Sequence, residues 1–409
     1  MATRISSSFR GLILLSFFAY LCLCAHEAEE TTETQHHHQI SHTIPVISLI
    51  PSNACTSSAK GSERKASLEV IHKYGPCFQS KNYDEKVPNH LEILLQDQAR
   101  VNSIHSRLSK EYSDNNKSRD SQVATLPATS GLPIGTGNYI VTVGLGTPKN
   151  DLKLIFDTGS DLTWTQCEPC ARSCYSQVDP IFDPSKSTSY SKISCNSSEC
   201  SQLISATGKP TTLLLYLRLR IRYKYGDGSF TIGDFSKDRL TITTEDVLDN
   251  FLFGCGQDNE GLFKGAAGLL GLGRNQISIV KQAAQKYGQF FSYCLPSTSD
   301  SKGHLTFGNG GVSSTVKFTA LQTLSQSQSF YGLDLIGLSV GGTQLSIPKS
   351  AFSQEPSSIP ARLSKVCLAF AGNRNETSIG IIGNTQQREL EVVYDVAGER
   401  IGFGKGGCR

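Results

Sequence analysis

Residues 138–164 read Asn138-Tyr139-Ile140-Val141-Thr142-Val143-Gly144-Leu145-Gly146-Thr147-Pro148-Lys149-Asn150-Asp151-Leu152-Lys153-Leu154-Ile155-Phe156-Asp157-Thr158-Gly159-Ser160-Asp161-Leu162-Thr163-Trp164. The first part alternates small, polar and β-branched residues, as a strand does. Gly146-Thr147-Pro148 is a turn composition, and Leu152 to Phe156 is a second, apolar strand. That strand delivers Asp157 into Asp157-Thr158-Gly159-Ser160. A carboxylate at the end of a buried strand, with Gly two residues on, can be presented on a tight turn. The hydroxyls of Thr158 and Ser160 and nearby backbone N–H groups can then hydrogen-bond it. By itself the tetrapeptide is weak evidence. A chain of this length holds an Asp-Thr/Ser-Gly by chance on the order of one time in five, and a β-turn with a capping Asp is the plainer reading.

Working outward, the composition changes after Gly131. Gly, Thr and Ser become frequent, and short apolar runs bounded by Gly, Asn and Asp recur, as in Leu333 to Val340 and Leu390 to Val396. Helical periodicity is clear over Ile277 to Tyr287, with Gly288 as its C-cap. Many short strands and few helices predict an all-β body from 132 to 409, long enough for two cores.

The flanking motifs turn the Asp157 turn into a specific signal. Cys167, Cys170, Cys174, Cys195 and Cys200 follow it, then Tyr225-Gly226-Asp227-Gly228-Ser229, Phe253-Gly254-Cys255-Gly256, Gly268-Leu269-Leu270-Gly271-Leu272-Gly273 and Ile381-Ile382-Gly383-Asn384. Together these closely resemble the pepsin-like aspartic peptidases, and in the Cys-rich insertion their plant nepenthesin-type subgroup. The resemblance covers most of residues 25–409. It implies two β-barrel-like lobes with a substrate cleft between them, each lending one catalytic Asp. Asp157 would be the first, with Thr158, Gly159 and Ser160 its supporting turn. Tyr225 and Gly226 would belong to a flap over substrate, with Tyr225 reaching the indole of Trp164; simple core filling is the alternative for Trp164. Two such carboxylates share a proton and grip a water. One removes a proton as that water attacks a peptide carbonyl, and the other stabilises the oxyanion. Protein or peptide substrates are implied, and no metal or cofactor.

The chain departs from the family in two places. A second Asp-Thr/Ser-Gly should follow the expected strand Tyr331 to Val340, but Ser339-Val340-Gly341-Gly342 runs on without it. Beyond residue 299 the only Asp residues are Asp300, Asp334 and Asp395, none in such a turn. Sequence of the second lobe is expected to be deleted between about Phe352 and Lys365. This predicts an N-terminal lobe at 132–300 and a truncated C-terminal lobe at 301–409 that folds poorly, because lost strands expose edges. Secondly, Leu217 to Tyr225 alternates apolar residues with Arg218, Arg220, Arg222 and Lys224 where the subgroup usually has a Cys pair. Nine Cys remain in the body (Cys167, Cys170, Cys174, Cys195, Cys200, Cys255, Cys294, Cys367 and Cys408), so at least one thiol is free or intermolecular.

The N-terminus reads as a secretory signal peptide over 1–25, with Arg4 and Arg10 before the apolar run Gly11 to Cys24. That run is too short to span a membrane comfortably. Residues 26–131 read as a pro-segment. Leu91, Leu94, Leu95, Val101, Ile104 and Leu108 recur at helical spacing beside Arg100, Arg107 and Lys110, and the resemblance places this helix over the cleft; a plain surface helix is the alternative. His36, His37 and His38 lie in low-complexity sequence and read as solvated rather than metal-binding. Cys167, Cys170 and Cys174 have spacing open to zinc, but secretion favours disulfides. Asn116, Asn196 and Asn375 head glycosylation sequons.

Across 409 residues, 39 basic and 36 acidic side chains leave a net charge of +3, with 38% hydrophobic residues, thirteen Cys, one Met and one Trp. That excludes a multi-span membrane protein, a coiled coil and a wholly disordered chain, and gives no electrostatic case for nucleic acid. The basic stripe reads as a solvated face. A secreted monomer is expected, with a plastid as the alternative location. Two functions compete: an aspartic endopeptidase, of doubtful activity for want of the second Asp, and a catalytically silent binding or inhibitor protein on the same fold.

Overall fold

The computed structural model describes residues 66–72, 77, 98, 100–102, 104–105, 139–194, 197–207, 220–225, 229–261, 263, 265–296, 301–322, 324, 329–337, 339–340, 343–344 and 380–406. The opening strand, β1 (Ser67–His72), comes from the N-terminal segment. β2 (Tyr139–Leu145), β3 (Asn150–Asp157), β4 (Trp164–Gln166) and β5 (Ser191–Lys192) follow, then helix α1 (Ser198–Thr207), β6 (Arg220–Lys224), β7 (Phe230–Thr241), β8 (Val247–Glu260) and β9 (Gly268–Gly271). The short helices α2 (Ile279–Gln282) and α3 (Ala284–Tyr287) lead to β10 (Phe290–Cys294), β11 (Lys302–Phe307), β12 (Lys317–Ala320), β13 (Ser339–Val340) and β14 (Thr343–Gln344). Helix α4 (Asn384–Gln387), β15 (Leu390–Asp395) and β16 (Arg400–Lys405) close the described chain. The architecture is all-β, as the sequence predicts.

Fourteen strands share one sheet in the order β12-β16-β15-β10-β11-β1-β2-β3-β9-β4-β8-β7-β5, with β6 on β7; β13 and β14 form a separate hairpin. The expected helix over Ile277 to Tyr287 is present as α2 and α3. Ser278 caps its start, and Gly288, at φ 68°, its end. That left-handed φ suits a residue without a Cβ.

Two features differ from the sequence reading. No strand was expected before residue 132, yet β1 lies mid-sheet, paired with β11 from Ser67↔Thr306 to Ile71↔Lys302 and with β2 at Ile71↔Ile140. Leu68, Val70, Ile71 and His72 are buried. Conversely, a strand was expected over Tyr331 to Val340. Residues 331–337 form only an isolated bridge at Gly332, and Asp334, Leu335, Ile336 and Gly337 are exposed. The end of the expected strand, Ser339–Val340, is β13, paired with β14; over 331–337 no ladder partner lies among the described residues, and β propensity alone does not hold a strand. The largest core cluster runs from Ala66 to Ile401.

Near the site, β9 lies between β3, its parallel partner, and β4. The approach is close enough to require glycine: a Cβ on Gly268 would fall 2.0 Å from the carbonyl oxygen of Trp164.

Candidate active site

Asp157 ends β3, in register with Gly271 of β9, and its carbonyl accepts from Leu272 N at 2.9 Å. The side chain therefore leaves the sheet from a backbone held by β9, two residues beyond the last β2 pair at Ile155. Gly159 N donates to Oδ1 at 2.9 Å and Ser160 Oγ donates to Oδ2 at 2.6 Å. The residue is 8% exposed. Donors to the charged form offset the cost of burying it.

A third donor comes from far away in sequence. Nη2 of Arg100, in the N-terminal segment, hydrogen-bonds and ion-pairs with Asp157 Oδ1. Residues 98, 100–102, 104 and 105 are helical, within the stretch predicted as an amphipathic helix. Burial works against the Arg100 charge, but Asp157, then Tyr225 and Tyr223, outweigh it and raise its pKa above the ordinary value. A Cβ on Gly159 would stand 2.8 Å from Nη2, so glycine there leaves room for the guanidinium.

Aromatic side chains wall the site. Trp164 is fully buried and donates from Nε1 to the Tyr225 hydroxyl at 2.8 Å. Tyr225 meets Tyr223 edge-on at 4.8 Å, and Phe263 contacts both Trp164 and Tyr225 at 5.1 and 5.2 Å. Burial first, then Tyr223 and Asp157, push the Tyr225 phenol well above its ordinary pKa. Along β6 and the residue after it the alternation is regular: Ile221 and Tyr225 are buried, Arg222 and Lys224 exposed.

On the far side of the turn, the Tyr394 hydroxyl bonds Thr158, and burial raises its pKa to about 12. Tyr394 also contacts the Tyr293 hydroxyl at 3.1 Å, and Tyr293 donates to Gln387. Asp395 is engaged elsewhere, accepting from Arg400 and Gly398 at 2.8 Å each, and Asp334 is exposed.

Cys167 pairs with Cys255, and Cys170 with Cys174; Cys77 and Cys294 are also disulfide-bonded, while Cys200 is a buried free thiol. Gly226, Asp227, Arg218, Asp300, Cys195, Cys367, Cys408, Asn116, Asn196, Asn375, His36 to His38 and residues 1–25 lie outside the described residues. Among the described residues, no helix is long and apolar enough to cross a membrane.

Sequence reasoning named Arg100 only as a cation beside a helix, and did not name Tyr223, which meets Tyr225, or Tyr394, which bonds Thr158, or Tyr293, which meets Tyr394. Tyr223 was readable from its i−2 position to Tyr225 on one strand. For Arg100 and Tyr394 no local signal existed, since each meets the turn from a remote part of the chain, and Tyr293 comes in only through Tyr394.

The family description "Xylanase inhibitor N-terminal" matches residues 139–309, and "Xylanase inhibitor C-terminal" matches 353–405. An aspartyl protease family protein of Arabidopsis thaliana is 43% identical over 474 aligned positions, covering 97% of this chain and 98% of the relative. Aspartyl protease AED1, also of Arabidopsis thaliana, is 40% identical over 96% and 98%. Aspartic proteinase nepenthesin-2 of Nepenthes gracilis is 40% identical over 56% and 52%. Among solved structures, that of edgp aligns with a TM-score of 0.49 at 16% identity, over 68% of this chain and 93% of that one. The first alignment is informative by its length: 474 positions against 409 residues leaves at least 65 at which the relative has a residue and this chain has none.

Proposed function

This chain belongs to the plant pepsin-like aspartic protease family, and from that premise we propose that it binds peptides on the peptidase scaffold while hydrolysing them at a negligible rate. The observation that carries this reading is the company Asp157 keeps: its carboxylate faces the guanidinium of Arg100, and the sequence holds no second Asp-Thr/Ser-Gly. Asp157 would be the surviving catalytic carboxylate, Thr158, Gly159 and Ser160 its supporting turn, and Tyr225 with Gly226 part of a flap braced by Trp164.

Hydrolysis in this family needs one carboxylate to accept a proton from water and a second, protonated, to stabilise the oxyanion. A lone ionised carboxylate supplies only the first. General acid–base groups contribute about 10²–10⁴-fold each, and the absent one would also hold the water. The abridged second lobe, supported by the unmatched positions in the alignment, removes further substrate contacts. Residues 26–131 would form a pro-segment carrying Arg100 over the cleft. A signal peptide at 1–25 would route the chain to the secretory pathway, with glycans at Asn116, Asn196 and Asn375; an unchanged mass after glycosidase treatment of plant-expressed protein would contradict that routing.

The test of activity is an acid-pH digest of a peptide library by the purified chain and its Asp157→Ala variant. No difference between the two is expected. Inhibitor-sensitive cleavage by the parent, lost in the variant, would show a working dyad and overturn the reading.

A further inference from the structure

We propose that the open edge of β6 is a docking site for an extended acidic peptide, which adds as a further strand and sets its carboxylates against Arg222 and Lys224. The inference deepens the reading above and rests on it in taking peptides as the ligands. Among the described residues, β6 has one ladder, to β7, running from Arg220↔Asp234 to Lys224↔Phe230. Its other edge therefore presents backbone N–H and C=O groups that no described strand takes up. Such an edge is a template on which a peptide adds by main-chain hydrogen bonds. The strand is also held firmly from behind. Ile221 is 1% exposed, and Tyr225, the residue after β6, is tied to Trp164 Nε1 at 2.8 Å.

The side chains select what adds there. Arg222 and Lys224 are exposed and alternate with buried Ile221 and Tyr225, so the two cations share one face of β6. Neither has an ion-pair partner among the described residues. Across the ladder they stand opposite Ile232 and Phe230, and the acids of the same two rows, Asp258 and Glu260, are one strand further off on β8. Asp234, the acid of β7 in register with β6, is engaged by Lys192. Positions i and i+2 of a strand lie about 6.8 Å apart. An antiparallel peptide with acidic residues two positions apart matches that spacing and places each carboxylate directly opposite a cation. A nucleic acid would meet the charges but not the ladder, since it lacks the alternating N–H and C=O groups. The same charges keep a second copy of this edge away, because β6 paired with itself in register sets cation against cation.

The experiment titrates the full chain against a dye-labelled heptapeptide, read by fluorescence anisotropy at low salt. The peptide has glutamate at its third and fifth positions and threonine or valine elsewhere. Two controls replace both glutamates by glutamine, or N-methylate the central residues so that no ladder can form. The glutamate peptide is expected to bind at least about threefold more tightly than the glutamine peptide, as two exposed cross-strand ion pairs allow, and the preference should shrink as salt rises. The N-methylated peptide should not bind. Arg222→Glu combined with Lys224→Glu should reverse the preference towards a lysine peptide of the same design, and that gain of binding also shows the variant to be folded. If it does not fold, Arg222→Gln combined with Lys224→Gln takes its place and should bind the glutamate and glutamine peptides equally. Equal affinity of the unmodified chain for those two peptides overturns the proposal. So does undiminished binding of the N-methylated peptide, an unchanged preference in the variants, or equally tight binding of a single-stranded oligonucleotide of the same net charge. Mass spectrometry of the same mixtures separates the two readings. Cleaved peptide sinks the proposed function, whereas intact peptide bound without preference sinks only this inference.

Discussion

Two nearly identical tetrapeptides in this molecule have opposite fates. Gly268-Leu269-Leu270-Gly271 forms β9 and is wholly buried, with Leu269 3% and Leu270 0% exposed. Gly380-Ile381-Ile382-Gly383 forms no strand, with Ile381 39% and Ile382 51% exposed. Local chemistry does not separate them, since isoleucine favours strands more than leucine does. The neighbourhood does. The first lies between β3, the strand bearing Asp157, and β4. Among the described residues, no strand pairs with the second. Burial of a short apolar run is thus a property of its partners.

Side-chain truncation should read this difference most strongly. Leu270→Ala is expected to cost about 2–5 kcal/mol and Ile382→Ala no more than about 0.5 kcal/mol, compared by urea unfolding. Similar costs at the two sites would break the comparison. The glycines give a second contrast of smaller size. A Cβ at Gly268 meets backbone at 2.0 Å, while at Gly380 it meets nothing within 4 Å. Gly268→Ala should cost about 1–3 kcal/mol, and Gly380→Ala should leave the midpoint in place.

The smallest effect is electrostatic. Asp246 accepts from Ala66 N at 3.1 Å, Tyr287 OH at 2.9 Å and Thr243 Oγ1 at 2.8 Å, and pairs with Lys286 at 2.9 Å. Burial alone would raise its pKa; Lys286, Thr243 and Tyr287 together outweigh that and hold it below the ordinary carboxylate value. A depressed folded-state pKa contributes stability that is fully present above the unfolded value, about 3.9, and lost as pH falls through the lower folded value. Asp246→Asn should therefore cost about 1–2 kcal/mol at pH 6, and the gap from wild type should shrink below pH 4. A gap that widens on acidification would refute the assignment.

How much was legible follows the range of the contacts involved. Asp157, its turn, the helix ended by Gly288 and the strands Tyr139–Leu145 and Leu390–Asp395 are written in residues a few positions apart, and sequence reading found them. Residues 331–337 have strand composition but, among the described residues, only an isolated bridge at Gly332, and composition cannot reveal a missing neighbour. The stretch Ser67-Leu68-Glu69-Val70-Ile71-His72 is short, sits in polar surroundings and pairs with residues 302–306, so no local pattern marks it as core. Arg100 is one of several cations near a helical periodicity; only the folded chain singles it out.

The place of β1 changes what cutting the backbone would mean. It is flanked on both sides, by β11 and by β2, and is anchored by Glu69 to Lys302 at 3.1 Å and by a Ser67–Thr306 hydroxyl contact at 2.9 Å. It behaves less like a removable leader than like the middle stave of a cask. A protease site introduced at position 115 and then cut would expose no dissociable tail. Under reducing, native conditions the two fragments should elute as one species and separate only in denaturant, because withdrawing β1 would leave β2 and β11 each with an open edge. A clean loss of the N-terminal fragment in native buffer, with the remainder still folded, would show that the sheet closes without it. Otherwise such a cut creates a heterodimer whose smaller subunit contributes six residues of sheet.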